Sequence, residues 1–192
     1  LPTSLPIQLR KLGYETNYWY GGSLSHGNFN HFAPACGFNH SYSGTDICGA
    51  KAPRSWVGVY DHVFLNKVAD MIQERSDDVP QFHFVYTTSN HGPYKMPLKD
   101  LGFDAKKIMN VQPDVLKEKI IQKALGTFWY ADRAINDFIQ KMKEAYPDSL
   151  FIVTGDHGYK CPELQHTSFM RREYTFRELH SPVLMFHHRE LD

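Results

Sequence analysis

Three apolar stretches each run directly into a glycine-bearing polar end: NYWYGG, HFVYTTSNHG and LFIVTGDHG. No other feature constrains the fold as strongly. A short apolar run that turns abruptly polar reads as a buried strand whose carboxyl end emerges into solvent. HSPVLMFHH reads as a fourth strand.

Helical spacing separates these runs. Across residues 113–142, Leu116, Ile120, Ala124, Phe128, Ala131, Ile135, Phe138 and Met142 step by threes and fours along one stripe. Trp56 to Glu74 carries a shorter version through Val63, Val68, Met71 and Ile72. Near the start, Ser4 followed by Pro6 opens a short helix that Gly13 stops. Strands alternating with helices predict an α/β fold: a mostly parallel central sheet with helices on both faces. Residues 25–54 show no sustained period and read as an irregular segment, functional or inserted, too long for an ordinary connection.

In an open α/β sheet, ligands bind beyond the carboxyl ends of the strands. Here those ends carry Tyr20-Gly21-Gly22, Ser89-Asn90-His91 and Gly155-Asp156-His157. Adjacent residues on an extended strand point to opposite faces, but a turn at Gly155 and Gly158 lets Asp156 and His157 converge on one ion. A carboxylate beside a neutral imidazole suits Zn²⁺ or Mn²⁺. Taken in isolation, such a pair is more simply a solvated surface turn. His91, before Gly92-Pro93, is either a turn residue or a donor to a phosphate or sulfate oxygen. His166, ten residues past Asp156, can fold back on the same site. His26, His31 and His40 fall in the irregular segment, where solvated loop histidines are the default and a metal cluster the alternative.

Composition removes several classes. Lys+Arg and Asp+Glu both number 21, so the net charge is zero and the basic face of a nucleic-acid binder is missing. A chain that is 42% hydrophobic and 14% aromatic is globular in character. At this length a domain buries roughly 70% of its unfolded surface. No run reaches the roughly 18 apolar residues of a membrane span, and no signal peptide opens the sequence, which leaves any anchor to segments outside it. Neither a G-x-S-x-G elbow nor a P-loop occurs. Cys36 and Cys48 bound the loop CGFNHSYSGTDIC, which either a disulfide closes or two free thiols flank; their spacing fits no zinc-finger pattern.

Five segments in this order, LPTSLPIQLRKLGYETNYWYGG, SWVGVYDHVF, VYTTSNHGPYKMP, WYADRAINDFI and LFIVTGDHG, resemble the sulfatase-type catalytic domain of lipoteichoic acid synthases. That group includes phosphoglycerol transferases and belongs to the alkaline phosphatase superfamily. The resemblance runs to Leu184 and implies an alkaline phosphatase/sulfatase-like sheet, here the C-terminal portion of one domain across residues 1–192, incomplete at its N-terminal side. It implies a divalent-metal-dependent phosphoglycerol-type transferase or sulfatase-like hydrolase working through a covalent Thr intermediate. Mn²⁺ is the expected metal, with Zn²⁺, Mg²⁺ or Ca²⁺ as alternatives. Asp156 and His157 match two metal ligands of that family, while the remaining ligands, a Glu and the nucleophilic Thr, lie upstream of this sequence. By itself, then, the chain is expected to be weakly active or inactive.

His91 matches a histidine at the substrate's phosphate, with His166 and Asn28 as further substrate-binding candidates. Trp56 and Asp132 match recurrent structural positions. The family's Arg after the YGG strand is replaced, in the segment Gly27-Asn28-Phe29, by Phe29. The implied substrates are lipid or glycan phosphate or sulfate esters, and the implied location is extracytoplasmic, anchored to the membrane through other segments. The competing expectation is a non-catalytic sulfatase-fold module that binds glycan or lipid headgroups. The upstream sequence decides between the two.

Overall fold

The structure, a computed structural model, describes residues 3–75, 78–107, 117–158, 173 and 175–191. The chain divides into two compact units, Leu1–His91 and Gly92–Asp192.

The first unit is built on a parallel sheet. Helix α1 (Leu5–Lys11) carries Pro6 in its first turn, where the missing N–H is no loss. Strand β1 (Glu15–Tyr20) follows and is almost wholly buried. Residues 25–54, expected to be irregular, in fact hold a short 3₁₀ turn (His26–Asn28), α2 (Phe29–Ala35), β2 (His40–Ser43) and α3 (Gly44–Ile47). That expectation is corrected. HSYS has no apolar alternation to announce a strand, and Pro34 interrupts the α2 pattern. Helix α4 (Asp61–Gln73) and strand β3 (Gln81–Tyr86) complete the unit. Both β2 and β3 pair with β1 in parallel, giving the order β2-β1-β3. The chain steps from β1 to one side, then crosses to the other, so the order reverses between β1 and β3.

Alternation divides the aromatic residues of this sheet between its faces. On one face Tyr18, Tyr20, Phe84 and Tyr86 cluster with Phe29 and Phe38; Tyr18 stacks on Phe84 with centroids 5.5 Å apart. On the other, Trp19 stacks on Tyr42 at 4.1 Å and its indole N–H donates to His83 Nδ1 at 3.1 Å. Arg75, just past α4, lies over both of those rings and pairs with Glu15. Along α4, Phe64, Leu65, Val68, Ala69 and Ile72 form the buried stripe.

The second unit holds the long helix α5 (Lys119–Ala145), strand β4 (Phe151–Thr154), helix α6 (Phe176–His180) and strand β5 (Leu184–His187). The helical stripe read from residue 113 onward is described from residue 117. Strand β4 pairs antiparallel with β5, in register from Phe151–His187 to Thr154–Leu184. A reciprocal capping box between Thr175 and Glu178 opens α6. Among the described residues, no helix is long and apolar enough to cross a membrane.

Candidate active site

The carboxyl ends of β1, β2 and β3 meet at the Gly21-Gly22 backbone. Gly21 N–H donates to Tyr86 O at 2.9 Å, and Gly21 O accepts from Val59 N–H at 2.9 Å. Ser43 Oγ donates to Gly22 O at 3.1 Å. A Cβ on Gly58 would stand 2.5 Å from Gly21 O and 2.6 Å from Thr88 Oγ1, and one on Gly44 would also strike Gly21 O. Only glycine permits these strand ends to close on one another.

Beyond β3 the backbone leaves the sheet ladder, and Asp61 takes over as acceptor. Asp61 is fully buried at the first position of α4. Its Oδ1 accepts from Thr88 N–H at 3.0 Å and from Ser89 N–H at 3.1 Å, while its own N–H donates to Ser89 Oγ at 2.9 Å. Burial pushes the Asp61 carboxyl up, opposed by the Thr88 and Ser89 N–H groups. Asp61 lies in the segment SWVGVYDHVF, where no local pattern marks it as functional. An acid in a first helical turn is an ordinary response to the helix dipole, so the available signal was weak.

Two residues past Ser89, the exposed His91 ring lies edge-on to Trp56, with centroids 5.3 Å apart at 80°. His26 meets Trp56 in the same manner at 6.4 Å and 85°. His91, Trp56 and His26 thus form a row of rings on the first unit. Asn28 is exposed in the left-handed region (φ 62°), a conformation asparagine tolerates, at the entry to α2. Phe29, at the position of the expected Arg, turns inward to pack on Tyr20 with centroids 4.6 Å apart, so it is a core residue. His40 pairs with Glu15 at 3.5 Å, at the amino end of the strands and away from this row. Trp56, read as a structural anchor, is 64% exposed.

In the second unit, β4 ends at Thr154 and the chain turns through Gly155 to Asp156 and His157. The turn brings Asp156 Oδ1 within 3.7 Å of His157 Nε2, and both side chains stay exposed. His157 Nδ1 stands 2.6 Å from Gly158 O. A carbonyl only accepts, so in this bond Nδ1 donates, and Nε2 stands beside the Asp156 carboxyl. Asp156 and His157 thus set one carboxylate oxygen and one imidazole nitrogen side by side just past β4. Among the described residues, no group of three or more His, Cys, Asp or Glu side chains could close a coordination sphere. His166 and Cys161 lie outside the described residues. Cys36 is buried, Cys48 is half-buried, and both are free thiols.

The sulfatase family profile matches residues 2–181. This chain belongs to the sulfatase family. Among solved structures, the sulfatase-family chain is similar to the lipoteichoic acid synthase LtaP from Listeria monocytogenes (TM-score 0.68, 26% identity, 83% of this chain and 39% of that one). It shares its fold with an alkaline phosphatase superfamily protein from Vibrio parahaemolyticus (TM-score 0.68, 24% identity, 97% and 41% covered). It shares it also with the zinc complex of the C-terminal periplasmic domain of EcEptC from Escherichia coli (TM-score 0.60, 16% identity, 95% and 50% covered). The chain spans half or less of the length of these three structures.

Proposed function

We propose that this chain supplies metal-binding and substrate-binding residues to a divalent-metal-dependent phosphoryl-transfer or sulfatase-like enzyme. Phosphoglycerol transfer from a lipid donor is the specific reaction, and sulfate- or phosphate-ester hydrolysis ranks next. The observation that carries the proposal is the exposed Asp156–His157 pair just past β4, with His157 Nε2 3.7 Å from Asp156 Oδ1 and Nδ1 bonded to Gly158 O. Asp156 Oδ1 and His157 Nε2 would hold the ion, with Mn²⁺ the leading candidate and Zn²⁺, Mg²⁺ or Ca²⁺ the alternatives. When bound, such an ion lowers the pKa of a coordinated hydroxyl and neutralises charge building on the transferred group.

In this reading, His91 presents its imidazole to a phosphate or sulfate oxygen of the substrate and steadies it through a charge-assisted hydrogen bond. Asn28 and His166 are its proposed companions at the ester. In the same reading the enzyme works on the extracytoplasmic side, attached to the membrane through segments outside this chain, as the family resemblance implies.

One observation favours a second reading, a non-catalytic module that binds glycan or lipid headgroups: Phe29 packs on Tyr20 at the position where the family resemblance expects an Arg. A single experiment separates the readings. In the intact protein, Mn²⁺-dependent turnover of a glycerophospholipid and of an aryl sulfate is measured for the parent and for Asp156→Ala. The enzyme reading expects at least about a hundredfold loss with little change in melting temperature, since Asp156 is 57% exposed and stabilises little. Full turnover in the variant overturns the metal assignment. A parent that binds headgroup analogues without turnover supports the module.

A further inference from the structure

The turn that carries His91 is built unusually. Past Tyr86 the β3 backbone has left the ladder, yet Thr88 and Ser89 are still buried. Their N–H groups need acceptors, because a buried unpaired N–H is costly. Both converge on one oxygen, Asp61 Oδ1, at 3.0 and 3.1 Å. The bond is returned: Ser89 Oγ accepts from the Asp61 N–H, a donor at the start of α4 that has no partner within its own helix. Among the described residues the second carboxyl oxygen, Oδ2, is buried with no hydrogen-bond partner, and the two backbone donors on Oδ1 orient the group.

We propose that Asp61 is a positioning residue: its carboxylate fixes the Thr88–Ser89 backbone and thereby sets where His91 presents its imidazole. This rests on the reading of His91 as a contact to the substrate ester. The His91 ring is then constrained by Asp61 through the Thr88–Ser89 backbone that precedes it, and edge-on by Trp56. Thr88 is further confined by its neighbours, since its Oγ1 and Cγ2 lie 3.1 and 3.2 Å from where a Gly21 side chain would begin. A turn held this way loses little conformational freedom when the substrate arrives, and preorganisation of this kind turns geometry into rate.

The experiment is a double-mutant cycle in the intact protein, with kcat and KM measured for Asp61→Ala, Asp61→Asn, His91→Ala and Asp61→Ala/His91→Ala. A misplaced contact costs up to about a hundredfold. His91→Ala is expected to lower kcat/KM about tenfold or more, and Asp61→Ala by a comparable factor. The double variant should be no worse than His91→Ala alone, because Asp61 acts through His91. Asp61→Asn keeps an oxygen for the two N–H groups and should recover most of the activity. Where Asp61→Ala does not fold, Ser89→Ala, which removes the acceptor of the Asp61 N–H, takes its place in the cycle.

A loss from Asp61→Ala that persists undiminished on the His91→Ala background makes the residue merely structural and overturns the proposal. His91→Ala with unchanged turnover defeats the substrate role of His91 instead. Independently of turnover, the His91 imidazole resonances of Asp61→Ala or Ser89→Ala are compared with the parent by NMR. They should shift while the Trp19 indole N–H stays in place. An unmoved His91 signal overturns the positioning role.

Discussion

His83 shows how one residue's surroundings set a property of the whole fold. It accepts the Trp19 indole proton through Nδ1, and burial together with the neighbouring Arg75 guanidinium lowers its pKa from 6.5 to about 4. Between those values the unfolded chain binds a proton that the folded chain refuses. Stability attributable to His83 is therefore complete above pH 6.5 and is lost as the pH falls toward 4. The full effect is at most about 3 kcal/mol. His83→Gln keeps an acceptor for Trp19 and removes the titration, so its melting temperature should fall less across that window than the parent's, as read by thermal unfolding. Asp156 and His157 could be read as a pair from the sequence because adjacency and flanking glycines bring them together. Asp61 could not, because the groups it holds lie 27 and 28 residues away. No local pattern encodes such a distance.

Among elements, the lesson lies in β2. Its sequence, HSYS, offers no hydrophobic period, and what makes it a strand is the parallel ladder along β1 from Asn17–His40 to Tyr20–Ser43. The strands that were legible, β1, β3, β4 and β5, each carry an apolar run, and α5 announced itself by a stripe along its length. The glycine contacts at the strand ends also belong to this scale. Gly58→Ala pushes a methyl against Gly21 O and Thr88 Oγ1, where rigid backbone bounds one side. The expected cost is about 1–3 kcal/mol, read as a lower denaturant midpoint with an unchanged slope. Because Thr88 is one of the residues pressed, His91 should feel the same substitution.

At the scale of the whole molecule, each unit has its own exposed apolar surface to account for. The β4–β5 ribbon leaves Ile152, Leu184, Met185 and Phe186 more than half exposed, and the net charge of zero supplies no repulsion between copies. The 192-residue chain alone should bind a hydrophobic dye and self-associate at neutral pH. Ile152 stands opposite Phe186 in the ladder, so Ile152→Lys with Phe186→Glu places opposite charges across the ribbon. Dye fluorescence and the sedimenting aggregate should both fall; undiminished association would locate the sticky surface elsewhere. The α/β class, the strand ends that bear Gly21, His91 and Asp156, and the family resemblance were determined by sequence alone, because apolar runs and the residues that end them are local. Tertiary structure alone decided that HSYS is a strand, that Phe29 belongs to the core, and that Asp61 holds the turn leading to His91. Each depends on partners that only the folded backbone brings within hydrogen-bonding or van der Waals reach.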